Sequence, residues 1–310
     1  MKHYFVLNPN ASKAAPRHMA ERIRAACSSA RADFELYETK SKEDTAAYVR
    51  ERTRGAPCRV YAVGGDGTLN DVLNGIGNLE TTELGSFPCG TGNDFAKSLP
   101  STIEALLDPA AQLAAKAFPV DLITVNGMRC INTVSIGVDA NTAFLMQRIK
   151  RIPFLNRASY ALALGISAIR PLKYQMDVRF PDGQEVRGPF ALAVFASGQY
   201  YGGSFRAAPT ARPDDGHITA CLVKPISKLK FLRLVGDYKK GAHVGAPEFA
   251  PILTYRTTGS ARVTSKQPMR VCLDGEMLVT AEADIVLHPG AIRFALPGVS
   301  GAAHEEEEVL

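Results

Sequence analysis

The chain has 310 residues, 46% apolar and 22% charged, an ordinary balance for a folded protein of about two domains. Bulk disorder is excluded, and no apolar run reaches the ~18–20 residues of a membrane-spanning helix. The formal charge of +5 is unevenly spread: 14 Lys/Arg meet 14 Asp/Glu through residue 120, 22 meet 13 over residues 121–303, and the last seven residues hold four Glu. A neutral front and a basic back point to an anionic partner met by the second half: nucleic acid, a membrane surface or an acidic substrate.

Tyr4–Leu7 predicts a short strand that ends at the Asn8-Pro9 turn. A helix follows over Pro16–Ser29 on the spacing of Met19, Ile23 and Ala26, and then a strand over Phe34–Tyr37. Ser41 with Glu43 and Asp44 reads as a helix start. Val60–Val63 is a compact buried strand; a glycine turn and a helix over about Thr68–Asn74 follow it. Leu84–Phe87 repeats the pattern, with a second glycine turn and a helix predicted from Asp94. Alternating strands and helices predict an α/β domain over residues 1–120, a Rossmann-like, doubly wound parallel sheet with helices on both faces. Ligands of such sheets bind at the carboxyl ends of the strands, where both glycine turns belong.

From residue 121 to 298 the texture is β-rich, and a second, mostly antiparallel domain is expected. Its strands are read at Leu122–Val125, Arg129–Val134, Tyr174–Phe180, Phe190–Phe195, Ile218–Val223, Arg270–Leu273 and Asp284–Leu287, with a hairpin at Pro181-Asp182-Gly183. Helices are expected near Asn141–Ile149, Ala158–Ile169 and Ser227–Tyr238, and residues 299–310 form an acidic tail. The six cysteines are scattered without a CxxC pair, so neither zinc nor a disulfide framework is expected. The first residues, MKHYFVLNPN, read as strand and turn rather than as an apolar leader, and the expected setting is cytoplasmic.

Four segments carry chemistry. GGDGTLN over residues 64–70 follows a strand and opens a helix. Its glycines let the backbone approach a ligand, and the helix N-terminus favours an anion such as phosphate. Thr68 either caps that helix or bonds a phosphate oxygen. Neither the dinucleotide fingerprint nor the P-loop pattern is met. PCGTGNDF over 88–95 repeats strand, glycine turn and polar start; Thr91 offers a hydroxyl, and Asp94 either holds Mg²⁺ or caps a helix. NPNAS over 8–12 is a polar turn after the first strand, equally a nucleotide contact or a plain turn. Asp274-Gly275-Glu276 is an acidic turn in the back half.

NPNAS, GGDGTLNDV, FPCGTGNDFAKSL and LDGE in this order resemble the diacylglycerol kinase catalytic-domain family, the lipid kinases that include soluble bacterial diacylglycerol kinases and sphingosine kinases. The resemblance implies an N-terminal nucleotide-binding domain, a C-terminal β-rich domain for the lipid substrate, and ATP- and Mg²⁺-dependent phosphorylation of a lipid hydroxyl. It implies an ATP-contacting set of Asn8, Pro9, Asn10, Ala11, Ser12, Thr39, Gly65, Asp66, Gly67, Thr68, Leu69, Asn70, Asp71 and Thr91. Asp66, Asp94 and Asp121 are the acids that organise Mg²⁺ and its waters, and Glu276 is the general base. A structural Mg²⁺ loop is implied at residues 209–218, formed by the Asp215 carboxylate and the carbonyls of Arg212 and His217. His217 stands where the family usually has an apolar residue, and Asp71 where it usually has Glu.

The acceptor is left among diacylglycerol-like, sphingoid and phosphatidylglycerol lipids. Two segments mix basic and apolar residues without much acid, 141–176 and Lys224–Lys240. Each is either a peripheral membrane surface, here the inner membrane face, or a solvated helix side over the core. No nucleic-acid-binding signature is evident, and a homodimer is left open. The competing functions are an NAD kinase, which shares GGDGT, and a non-catalytic membrane- and nucleotide-binding regulator.

Overall fold

The computed structural model describes residues 1–11, 15–138, 140–141 and 173–299, with backbone alone at 15–17. Ser12, the expected helices near 141–149 and 158–169, most of the basic segment 141–176 and the acidic tail from residue 300 lie outside the described residues. The chain divides into two compact units: Met1–Val120 together with the chain from Gly290 on, and Asp121–Pro289. The sequence reading carried the second unit to residue 298.

In the first unit β1 (Lys2–Leu7), α1 (Ala15–Ala30), β2 (Phe34–Glu38), α2 (Lys42–Arg52), β3 (Cys58–Gly64), α3 (Asp66–Gly75) and β4 (Thr82–Pro88) alternate as expected. β1, β2, β3 and β4 are mutually parallel in the order β4-β3-β1-β2. Side chains alternate across this sheet. Phe5, Leu7, Tyr61 and Val63 pack with Met19, Ile23 and Cys27 of α1. Tyr4, Val6, Val60 and Ala62 belong to the opposite face and are buried too.

Ser41 caps α2 by accepting from the Asp44 N–H at 3.2 Å. α3 begins two residues earlier than predicted. Its N-cap is Gly65, which has no capping side chain, so Thr68 lies inside the first turn and does not cap. The helix predicted from Asp94 is absent; only a short 3₁₀ turn, Ala96–Ser98, forms there. Asn93, in the left-handed region at φ 52°, breaks the helical path before Asp94, and Pro100 closes it off after one turn. Two short helices, α4 (Ile103–Leu106) and α5 (Pro109–Ala114), follow, capped by Thr102 and Asp108.

The second unit is antiparallel. It comprises β5 (Lys116–Val125), which enters from the first unit, β6 (Met128–Cys130), β7 (Thr133–Gly137), β8 (Tyr174–Arg179), β9 (Glu185–Phe190), β10 (Leu192–Ala196), β11 (Ile218–Val223), α6 (Lys228–Lys240), β12 (Leu253–Thr258), β13 (Ser260–Leu273) and β14 (Glu276–Leu296). Neighbours run β12-β11-β10-β7-β13-β14. β12 was not foreseen, and the short strands expected at 270–273 and 284–287 are parts of two long ones. The last residues of β14 pair parallel with β4, Arg293 with Glu83 and Phe294 with Leu84, inside the first unit. Two apolar clusters cover the antiparallel sheet: Val134, Ile136, Phe195, Ala220 and Val271 lie in one, and Val194, Cys221, Val223 and Phe249 with α6 in the other.

Candidate active site

In the first unit the parallel strands deliver their carboxyl ends to one place. The Asn8 N–H donates to Val63 O at 3.1 Å, and the Thr39 N–H to Leu7 O at 2.9 Å, so the turns after β1 and β2 are held beside the end of β3. The Asn8 carboxamide spans its own turn. Its Oδ1 accepts from the Asn10 N–H at 2.9 Å, and its Nδ2 donates to Thr68 Oγ1 at 3.0 Å. Asn8, Pro9, Asn10 and Ala11 therefore lie against the start of α3, with Thr39 close by.

The two glycine turns pack on each other. The Cys89 N–H donates to Gly64 O at 2.8 Å. A Cβ built on Gly90 falls 2.5 Å from Gly65 Cα, closer than real Cβ atoms come, and one on Gly64 would overlap the Thr68 side chain. Asn93 shapes the second turn: its Oδ1 accepts from the Gly90 N–H at 3.0 Å, and its Nδ2 donates to Pro88 O and Gly90 O at 2.8 and 2.9 Å. With Gly65 as N-cap, the N–H groups of Asp66, Gly67 and Thr68 have no intrahelical acceptor, and the dipole at this end favours an anion. Leu69 is different: its side chain is buried in the core, and its N–H bonds Gly65 O at 3.1 Å. Asn70 is buried as well, its Nδ2 without a hydrogen-bond partner among the described residues. Asp71 lies 3.9 Å from Lys42 Nζ. Thr91 is exposed on the second turn.

Asp66 and Asp94 converge. A Cβ on Gly92 would sit 2.8 Å from Asp66 Oδ2 and 3.7 Å from Asp94 Oδ2. Lys97 pairs with Asp94 at 3.0 Å, and the Phe95 N–H points to Asp66 Oδ1 at 3.4 Å. Two carboxylates over one glycine, beside the N-terminus of α3, fit a divalent cation that accompanies a phosphate: hard oxygens for the metal and the helix end for the anion.

Asp121, Arg212, Asp215 and His217 gather in the second unit. The Asp121 N–H donates to Pro213 O at 2.7 Å, and Asp121 Oδ2 accepts from the Gly216 N–H at 2.8 Å. Asp121 thus clamps the 212–217 loop. Asp215 accepts from the His217 N–H at 2.9 Å; burial pushes its carboxyl up, and that N–H opposes the shift. A half-buried carboxylate whose charged form is disfavoured by desolvation fits a cation that would offset that cost.

Glu276 opens β14, directly after the Asp274-Gly275 turn. The turn is fixed by Asp274, whose backbone is left-handed at φ 48°. Its Oδ2 accepts from the N–H groups of Ile131 and Asn132 at 2.8 and 3.3 Å, and its Oδ1 from that of Thr133 at 2.8 Å. Burial raises its carboxyl, and these donors pull it back. Asp274, Asn93 and Lys97 were not read as site residues. The signal for the first two was present, since Asn and Asp before or within glycine turns tolerate positive φ and bond their own backbone.

The sequence matches the diacylglycerol kinase catalytic domain over residues 2–125 and the YegS C-terminal NAD kinase beta sandwich-like domain over residues 132–296. The chain belongs to the family that joins a diacylglycerol kinase catalytic domain to a YegS C-terminal domain. Among relatives, a Chromohalobacter salexigens protein named "Probable lipid kinase YegS-like" is 29% identical over 258 residues, 82% of this chain and 81% of its own. The diacylglycerol kinase of Bacillus subtilis is 28% identical over 222 residues, 70% of each chain. The fold is shared with a diacylglycerol kinase from Bacillus anthracis at TM-score 0.70 and 20% identity, over 96% of this chain and 97% of the other. The two matches together span both units.

Proposed function

We propose that this chain is a lipid kinase that moves the γ-phosphoryl group of ATP to a lipid hydroxyl. The observation that carries the reading is the backbone contact of Gly65 with Gly90, with Asp66 and Asp94 converging beside it. Such a cradle suits the phosphates of a nucleotide: Asn8 to Ala11, Thr39, Gly65 to Thr68 and Thr91 surround it, and Asn70 and Asp71 continue along α3. Asp66 and Asp94 would hold Mg²⁺, which supplies neutralisation of the phosphate charge. The 212–217 loop with Asp121 would hold a second, structural Mg²⁺ through Asp215 and the carbonyls of Arg212 and His217.

Glu276 is assigned the proton. The lipid oxygen bonds to the γ-phosphorus as the bond from that phosphorus to the bridging oxygen of ADP breaks, and the hydroxyl proton passes to the Glu276 carboxylate. A lipid hydroxyl is too weak an acid to ionise beforehand, so the base acts as transfer proceeds. The acceptor is diacylglycerol-like, sphingoid or phosphatidylglycerol, met at a membrane surface on the cytoplasmic side. Among the described residues no helix is long and apolar enough to cross a membrane.

The test is transfer of label from γ-labelled ATP to each of these lipids in mixed micelles, for the wild type and Glu276→Gln. The reading expects a labelled lipid and a loss of about 10²–10⁴-fold in the variant. A variant as active as the wild type removes Glu276 as base, and no labelled lipid at all removes the kinase reading.

A further inference from the structure

Among the described residues, helix α6 rests on the second unit by one side only. Leu234 and Tyr238 are buried, and Phe231 and Val235 pack on the same cluster. At ~100° per residue the outward side carries Leu229, Leu232 and Gly236 along its centre. Lys228 and Lys239 flank that line on one side, Arg233 and Lys240 on the other. The two leucines are exposed to 80% and 64%, although the helix is already anchored by its other face. Of its six charged residues only Asp237 is acidic, at the far edge of the outward side.

A second basic feature adjoins the start of this helix. Lys224, three residues before the Ser227 cap, lines a pocket of about 350 Å³ together with Lys173, Arg187 and Phe190. Arg187 is paired with Glu185 at 2.6 Å, while the other two cations lie on the exposed rim.

We propose that the outward face of α6, with this adjoining pocket, docks on the surface of an anionic phospholipid bilayer. Exposed leucines on a line between cations match that surface: the leucines enter the interfacial layer and the cations meet headgroup phosphates. Each cation near an anionic leaflet strengthens binding by roughly fivefold. A nucleic acid would meet the charges and leave the leucines unused. The inference rests on the lipid-kinase reading for its purpose, since a kinase of membrane lipids must come to the bilayer, but binding is measured without ATP or turnover.

The experiment is vesicle flotation of the full chain with phosphatidylcholine vesicles and with vesicles of phosphatidylcholine mixed with phosphatidylglycerol. Wild type is expected to float with the mixed vesicles and to detach as salt is raised. Leu229→Glu with Leu232→Glu is expected to weaken that binding by at least about tenfold. Lys228→Gln with Arg233→Gln is expected to weaken it several-fold on the mixed vesicles and to leave phosphatidylcholine binding unchanged. All four side chains point outward, so the thermal midpoint should hold and activity on lipid in detergent micelles should persist. Undiminished flotation of the leucine variant overturns the proposal. So does a wild-type dimer that becomes monomeric in that variant without loss of flotation, which would make the face a contact between copies. Flotation that depends on the leucines, with no lipid phosphorylated, would retire the kinase reading and leave the docking face standing.

Discussion

Gly65 and Gly90 meet backbone to backbone: a Cβ on Gly90 would fall 2.5 Å from Gly65 Cα, and one on Gly65 3.1 Å from Gly90 Cα. The contact joins the turns after β3 and β4 into one cradle. Gly90 has no room for a Cβ and Gly65 little, and backbone cannot step aside as the end of a flexible side chain can. Gly90→Ala is therefore expected to cost about 1–3 kcal/mol of stability. It should weaken ATP binding by more than tenfold, read by nucleotide titration on protein still folded by circular dichroism. Unchanged affinity would mean that the cradle is not where the phosphates lie.

Asp94 reaches Lys97 at 3.0 Å and converges with Asp66 over Gly92. Asp66→Asn and Asp94→Asn are each expected to lower lipid phosphorylation by about 10²–10³-fold, the scale of losing one preorganised electrostatic group. They should also raise the Mg²⁺ concentration needed for half-maximal rate. Lys97→Met removes a part-exposed pair worth at most ~1 kcal/mol and should leave stability nearly unchanged. Thermal melts beside a Mg²⁺ titration of the rate check all three.

Asp274 takes three backbone N–H groups from residues 131–133 and so fixes the turn that presents Glu276. Asp274→Asn keeps the shape but replaces one acceptor oxygen by a donor that faces N–H groups. About 1–3 kcal/mol of stability should be lost. With the turn loosened, kcat should fall while the KM for ATP holds. Equal changes in both would argue that Asp274 does more than position the turn.

His243 is buried between the Tyr238 and Phe249 rings, with Nε2 3.0 Å from Ala207 O. Burial holds its pKa below the ordinary 6.5. The unfolded chain then binds a proton near pH 6.5 that the folded chain refuses, so this group's stability is present above that pH and lost as pH falls toward the folded value. Denaturant midpoints should drop from pH 7.5 to 5.5. His243→Gln should be less stable at pH 7.5, with a shallower drop across the same range.

The parallel half of the fold was legible because its signals are local. Strand and glycine turn recur within thirty residues, and Ser41 caps α2 as its sequence suggests. Asn93 defeated the helix expected at Asp94: its side chain bonds the Gly90 turn in preference to starting a helix, and a favoured capping residue looks the same in sequence either way. The long β13 and β14 were read as fragments because exposed polar stretches such as 265–268 and 280–282 interrupt their apolar pattern. The β13–β14 ladder resumes beyond 265–268 after a register shift, a long-range feature with no local signal. The hydrogen bonds of Asp121 to the 213–216 loop are a long-range contact that no spacing along the chain reveals. The exposed leucines of α6 were visible as residues, but which side of the helix the core takes is decided by packing.

Phosphoryl transfer to lipid is the reaction on which every role above depends. One measurement addresses it: wild-type protein with γ-labelled ATP, Mg²⁺, a total lipid extract and NAD⁺ in the same reaction, the products then separated into lipid and aqueous phases. Label is predicted in the lipid phase, on a species whose hydroxyl has become a phosphomonoester, and to vanish when Mg²⁺ is chelated. Label recovered as NADP⁺, with the lipid phase blank, would contradict it.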